Sequence, residues 1–524
     1  MEETAYYNGI IYTADEKCPK AEAFLVKDGH FAAVGSNAIA ADCPNKVDLK
    51  GQCVIPGLVD SHCHMFAGVA QAAMDTLFVD EQILPEELGE ALLTLLRNSA
   101  KPDRALVTAM GIDLTRGTFS AACIDGAVSD RPVAVFSNDG HGLLLNSHAM
   151  ELLGIDRDTE DVDENSYYVR DTKGNPTGLV IEIPAMLRCK SLLDEAAGGD
   201  PEEAFLCLAK GYAAYGYTTI FEAMSVDDGD FKLFEVLNEM DRKKALPLRI
   251  FGSFGYHGED YVSAEDAVSY MKVLREKYRT KHVCCDTLKL IADGTVEEHT
   301  ALLFSAYADE PDNYGSELLG EEDMARAASL AAKEGFSVHI HAIGDKAVNR
   351  ALTVLVGLGS ISGTKTIAHN QLYSKDDKQR IAANGDIFFQ TTPHWAKRDA
   401  FTLQSIGQER YEAQFPIGTM MKRQVPVTFG SDSCLEERTA NAFLGMYEAI
   451  VSGDTAPDRE SCLLAYTLRG ARQLKADGVT GSICEGKSAD FVVLDRDVMQ
   501  CAPEEMKETT VLRTYFEGEM VYGE

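Results

Sequence analysis

Eight short apolar runs, spaced by helical or loop material, most narrow what this chain can fold into. They lie at 56–64, 216–222, 246–251, 287–294, 336–341, 364–369, 386–390 and 425–430. From the second run onward the rhythm is regular, with helical stretches at 231–244, 264–278, 321–334, 345–358 and 375–383. Strand-length apolar runs that alternate with helical stretches read as βα units, and eight of them read as a (β/α)8 barrel. An open doubly wound sheet would need a Gly-x-Gly-x-x-Gly turn after an early strand, and none is present. A length of 524 residues leaves room for such a barrel and an appendage.

The two ends have a different character. Residues 1–55 contain short strand-like runs around Asn8-Gly9 and Asp28-Gly29, both hairpin signals. Residues 478–524 contain strand-like runs at 489–495, 511–516 and 520–522. Neither end can bury much alone, so they are expected to combine into one small β-sandwich. The barrel segment, 56–477, then sits between its halves. Within it, 70–205 breaks the alternation and reads as an insertion, with helices at 85–98 and 201–215 and a strand at 132–136. The fold class expected is α/β: a distorted (β/α)8 TIM barrel with a β-sandwich built from both chain ends.

A formal charge of −34 makes a surface that repels phosphate backbones, so nucleic acid is an unexpected partner. Thirteen cysteines, irregularly spaced, read as reduced thiols rather than a disulfide framework. No apolar run approaches the ~20 residues that span a bilayer, and the acidic start lacks a signal core. A cytoplasmic protein with a small-molecule substrate and no membrane partner is expected.

The run at 56–64 ends in His62-Cys63-His64. Side chains two apart in a strand share a face, so both imidazoles are expected to aim at one spot. In a barrel the C-terminal strand ends line the active site. The fourth run carries Lys289, the fifth ends in His341, the sixth in His369, and Asp432 follows the eighth. His62, His64 and Asp432 would hold one cation, and His341 and His369 a second. Lysine is a cation and fits such a site only if neutralised; carbamylation of Lys289 by CO₂ would make it an anionic bridge between two metals. Water held there becomes a nucleophile near neutral pH, with Asp432 as the proton shuttle. A Lys289 paired with Asp293 would instead leave a one-metal site.

These strings resemble the amidohydrolase superfamily, most closely its family-3 branch of N-substituted formamide deformylase-like proteins. The matching pieces are Pro56-Gly57-Leu58-Val59-Asp60-Ser61-His62-Cys63-His64, Lys289-Leu290-Ile291-Ala292-Asp293-Gly294, His341-Ala342-Ile343-Gly344-Asp345, the His369 strand, Gly430-Ser431-Asp432 and the closing Gly481–Phe491 segment. The resemblance implies a zinc-type hydrolase, with two Zn²⁺ bridged by carbamylated Lys289 or a single metal, and a reasonable homodimer. It selects His341 over His339, which shares its strand face. It places His141, in Asn138-Asp139-Gly140-His141-Gly142, near the substrate, and Glu182 in a similar family string. Gln390 and His394 are expected to line the pocket, whereas the lone Trp395 reads as packing. Asp345 is expected to cap the helix that follows it. The loop at 295–314 reads as either a lid or a solvated loop.

The function expected is hydrolysis of a non-peptide C–N bond, of amide, cyclic amide or N-formyl type. The alternatives are a mononuclear deaminase or amidine hydrolase and, in a different class, a regulatory protein that keeps the scaffold without the chemistry.

Overall fold

The structure is a computed structural model. It describes residues 3–523 apart from 74–75, 100, 139, 190, 193–199, 226–227, 260, 435–436 and 453–454. Asp139 of the inserted string therefore lies outside the described residues.

Its centre is an eight-stranded parallel sheet: β1 (Leu58–Cys63), β2 (Tyr217–Ser225), β3 (Arg249–Tyr256), β4 (Val283–Ile291), β5 (Ser337–Ala342), β6 (Lys365–His369), β7 (Ile387–Thr391) and β8 (Val427–Phe429). The spatial order is the chain order, β1 through β8. All seven ladders are parallel. The Ser61 hydroxyl donates to the Phe429 carbonyl at 2.7 Å, and the Asp432 amide to the His62 carbonyl at 2.8 Å. These bonds draw β8 against β1 and nearly close the barrel. Gly430 makes the approach possible, because a Cβ there would lie 2.7 Å from the backbone of His62.

The strands read as near-continuous apolar runs because both faces are covered. Helices such as Ala264–Lys277, Glu321–Lys333 and Asp345–Gly357 turn Ala, Leu, Met and Val toward them. One core joins these helices, the barrel strands and the helix Pro201–Ala214. Among the described residues no helix is long and apolar enough to cross a membrane.

Strands from both ends meet in one sheet: Phe491–Leu494 pairs antiparallel with Cys53–Pro56, which pairs in turn with Ile10–Tyr12. A four-stranded sheet, His30–Gly35, Ala23–Lys27, Thr4–Tyr7 and Asn45–Asp48, packs on it through Tyr6, Phe24, Phe31, Phe491 and Tyr515. The Asp28-Gly29 hairpin forms as expected. The Asn8-Gly9 hairpin does not. Thr4–Tyr7 and Ile10–Tyr12 belong to different sheets, so left-handed Asn8 (φ 60°) carries the chain across the sandwich rather than back along one sheet.

The inserted section folds into more sheet than its sequence suggested. Six strands, from Leu77–Phe78 to Pro176–Ile181, form a mixed sheet with its own apolar cores.

Candidate metal centre

The parity expected of His62-Cys63-His64 holds. Cys63 turns into the core, while the rings of His62 and His64 lie 5.4 Å apart at the barrel mouth. Asp432 stands between the histidines of opposite walls. Its Oδ1 lies 3.3 Å from His62 Nε2 and 3.1 Å from His64 Nε2, and its Oδ2 lies 3.2 Å from His369 Nδ1. His341 packs its ring 4.3 Å from that of His369. Lys289 is almost fully buried, with Nζ 3.4 Å from His62 Nε2. All six expected residues therefore converge. Among the described residues, His62, His64 and Asp432 alone offer three ligand atoms within 4.8 Å of one another.

The backbone at this mouth is strained. His369 (φ 70°), Asn370 (φ 53°) and Asp432 (φ 50°) all occupy the left-handed region, which ordinary side chains disfavour. Such conformations persist where surrounding contacts hold them. The Asn370 side chain donates to the carbonyls of Ile367 and Gln390, and Asp60 Oδ1 accepts the amides of His62 and Ser431.

The electrostatics suit cation binding. Burial, with the Lys289 charge adding to it, holds His62 and His339 well below the ordinary imidazole value. Burial does the same for His341, with His369 and Lys289 adding to it. These rings are neutral, the form that ligates. Burial alone would raise the Asp432 carboxyl, but His369 and His62 beside it hold it well below the usual carboxylate range. Burial lowers Lys289 to about 8 against the pull of Asp432 and Glu222. His369 Nε2 is buried with no hydrogen-bond partner among the described residues. A cluster of imidazoles around one carboxylate, with a buried ring nitrogen left over, fits a divalent cation of the zinc type.

Lys289 makes no ion pair with Asp293. The Asp293 carboxylate accepts the amides of Leu302, Ile343 and Gly344 instead, and ties the loop after β4 to the end of β5. Asp345 does not cap its helix. Gly344 holds the cap position, and Asp345 Oδ1 accepts the amide of Phe304. The loop at 295–314 is packed down rather than free: Val296, Ala301, Leu303 and Tyr307 are buried against Ile343, Leu372 and Ile406.

His141 reaches the centre from the inserted section, its ring 6.3 Å from that of His341. Gln390 and His394 do not line the cavity that His141 lines. Gln390 is buried beneath His369, with Oε1 3.4 Å from the His369 amide, and His394 Nε2 donates to the Asn441 carbonyl. Both are engaged by backbone groups. Trp395, expected as packing, is one-third exposed and stacks on the His369 ring at 5.6 Å.

Two more residues sit against this centre: His339, which the resemblance passed over for His341, and Glu222, which sequence reasoning missed. His339 Nε2 lies 3.0 Å from His62 Nδ1, behind the face that His62 turns to Asp432. Glu222, which ends the apolar run at 216–222 and lies within β2, is buried, acts on the Lys289 charge, and accepts the amide of Phe66 at 2.8 Å. The same strand-end rule that found His341 points to Glu222.

Comparison with known proteins shows the fold and the family. A solved structure described as an uncharacterized metal-dependent hydrolase from Pyrococcus horikoshii OT3 superimposes with a TM-score of 0.75 at 22% identity, over 96% of this chain and 99% of that one. At that identity the likeness establishes the fold. The exoenzymes regulatory protein AepA of Pectobacterium carotovorum subsp. carotovorum is 31% identical over 81% of this chain and 93% of its own length. The N-substituted formamide deformylase of Arthrobacter pascens is 25% identical over 100% of this chain and 98% of its own. The model of the amidohydrolase family matches residues 46–522. The barrel, its histidine-lined mouth and this match over nearly the whole sequence have one reading: the chain belongs to the amidohydrolase family, in its family-3 branch.

Proposed function

We propose that the chain is a metal-dependent hydrolase of a non-peptide C–N bond, in an amide, cyclic amide or N-formyl compound. The observation that carries this reading is the convergence of His62, His64, His341, His369, Lys289 and Asp432 at the C-terminal end of the barrel. His62, His64 and Asp432 would hold one zinc-type ion, and His341 and His369 a second, with Lys289 between the two groups as a carbamate. Metal ions there would polarise the carbonyl and make water nucleophilic near neutral pH.

The chain's own residues supply the rest. Asp432 touches histidines on both walls, so its carboxylate is placed to take a proton from the attacking water and deliver it to the leaving nitrogen. His339 and Asp60 hold His62 in register. Trp395 stacks on the His369 ring.

A one-metal reading has its own support: only His62, His64 and Asp432 form a tight three-atom group among the described residues, and Lys289 Nζ sits within hydrogen-bond distance of His62. On that reading the enzyme is a mononuclear deaminase or amidine hydrolase. A regulatory role, as in the name of the Pectobacterium relative, is opposed by the retention of the whole ligand-type set.

The test is a screen of the zinc-loaded protein against N-acyl, N-formyl, hydantoin and lactam compounds, with Asp432→Asn as control. Hydrolysis of the C–N bond in one of these classes, abolished by Asp432→Asn, is the expected result. Turnover of amidines or ring amines alone would select the one-metal reading, and no turnover of any class by metal-replete protein would sink both.

A further inference from the structure

A cavity of about 440 Å³ opens between the inserted section and the barrel mouth. His141, Asp163, Glu164 and Glu182 come from the insertion, Tyr256 and His257 from the end of β3, and Glu317 from the loop after β4. Ile291 of β4 also lines it; Ile291 pairs in register with His341 and stands two residues from Lys289, so the cavity adjoins the candidate centre.

Glu182 is the unusual member. It is 1% exposed and holds a left-handed backbone (φ 67°) where the strand Pro176–Ile181 gives way to a short helix. Its Oε2 lies 2.8 Å from His141 Nδ1, and its Oε1 accepts the Thr300 hydroxyl at 3.2 Å. Its amide also donates to the His141 carbonyl at 2.8 Å, so the pair is locked by backbone and side chain alike. Gly294, just past β4, lets the carboxylate in: a Cβ there would lie 2.7 Å from Glu182 Oε1. Strain at a buried carboxylate that grips a histidine beside a reaction centre marks a built site.

A carboxylate on Nδ1 fixes the tautomer. Nδ1–H donates to Glu182, and in the neutral form of the ring this leaves Nε2 as an acceptor. Asp163, Glu164 and Glu317 are acceptors too, while Asn165, Tyr256, His257 and Tyr261 can also donate. No Lys or Arg is among the described residues that line it. Arg350 stands nearby, but Glu317 engages it in an ion pair at 2.5 Å.

We propose that this cavity receives the nitrogen-side part of the substrate, and that His141, held by Glu182, accepts a hydrogen bond from its N–H. The group beyond that nitrogen is then cationic or a hydrogen-bond donor, and an N-acyl amino acid, whose carboxylate would meet Asp163 and Glu164, is disfavoured. This rests on the hydrolase reading above for the bond that is cut, but not for the binding itself. Glu182 is a positioning residue, because it acts through His141.

Binding and turnover separate the two claims. Calorimetry on the full zinc-loaded chain would compare diaminobutane, butylamine and butanoate, the amine and acid fragments that need no bond cleavage. Kinetics would compare acetylated diaminobutane, N-butylacetamide and acetamidobutanoate, which share one scissile amide. The ammonium compounds are expected to be favoured over the carboxylates by about a hundredfold or more, since like charges brought together cost several kcal/mol. Glu182→Gln and His141→Asn, checked for an unchanged thermal midpoint, are each expected to weaken diaminobutane binding about tenfold. In turnover they should raise KM more than they lower kcat. Equal or better binding of butanoate would overturn the proposal, as would folded variants that bind diaminobutane like the parent. Selective binding of diaminobutane without turnover of any amide would leave the cavity assignment standing and refute the hydrolase reading alone.

Discussion

Replacing His339 with alanine tests whether the metal centre depends on the residue behind His62. His339 Nε2 sits 3.0 Å from His62 Nδ1, both rings are buried, and Phe221 packs against His339 at 5.0 Å between ring centroids. If His62 binds metal through Nε2, its Nδ1–H donates to His339, which fixes both tautomer and ring orientation. Loss of such a partner typically weakens metal binding about 10–100-fold, or roughly 1.4–2.7 kcal/mol. Alanine also leaves a void beside Phe221, which costs stability of about 1–3 kcal/mol in both metal-free and metal-bound forms. His339→Gln separates the two effects, because its Oε1 can still accept from His62. Chelator competition should give a Kd at least about tenfold weaker for His339→Ala, with His339→Gln recovering part of it. Thermal melts of the metal-free protein should show the packing cost alone. A metal affinity unchanged in His339→Ala, or lost equally in both variants, would refute the role given to His339.

A second expectation concerns the joint between barrel and sandwich. His282 lies 2.6 Å from Asp241 and 3.1 Å from Glu517. Burial opposes its charge, but the two carboxylates outweigh burial and raise it above 6.5. Against burial, bonds from His282 hold Asp241 and Glu517 down at about 2. The histidine's share of stability is full below its ordinary value and fades as pH rises through the raised one. The carboxylates' share is full above their ordinary range and fades as pH falls toward about 2. The difference in thermal midpoint between the parent and His282→Gln should therefore peak at about pH 5–6 and shrink as pH rises through the raised histidine value. A difference that grows with alkalinity would contradict the sign. Nearby, Arg249 is buried on Asp490 and also donates to the Ser488 hydroxyl at 2.7 Å. Arg249→Met should destabilise by about 3–5 kcal/mol in chemical denaturation, because Asp490 is left charged and buried. Adding Asp490→Asn should recover part of the loss.

The barrel was legible in the sequence because its strands are apolar runs, five of them followed by a helical stretch, and the site because parity and strand ends fix where side chains aim. Phe491–Leu494 lies on Cys53–Pro56 because each end alone lacked a face to bury, and that lack was visible. The inserted sheet was not. Leu143 and Leu145 pack in one of its cores and Leu144 in another, so Gly142–Leu145 is apolar on both faces and shows no alternation. Its partners lie at irregular distances along the chain, and nothing local encodes that pairing. Asn8-Gly9 was misread because a left-handed residue serves a sheet-to-sheet crossing as well as a hairpin. His339 was ambiguous for a different reason. Period two puts it on the face of His341, and only its depth below the mouth assigns it to His62 rather than to the open site.

The most direct measurement is the metal content of the purified chain by elemental analysis, read together with the electron density at Lys289 Nζ. About two zinc-type ions per chain, with branched density for a carbamate beyond Nζ, are expected for a bridged pair. His62→Ala and His341→Ala should then each remove about one ion. No bound metal after growth in zinc-supplemented medium, or metal retained undiminished when His62, His64 and Asp432 are all replaced, would contradict the centre itself.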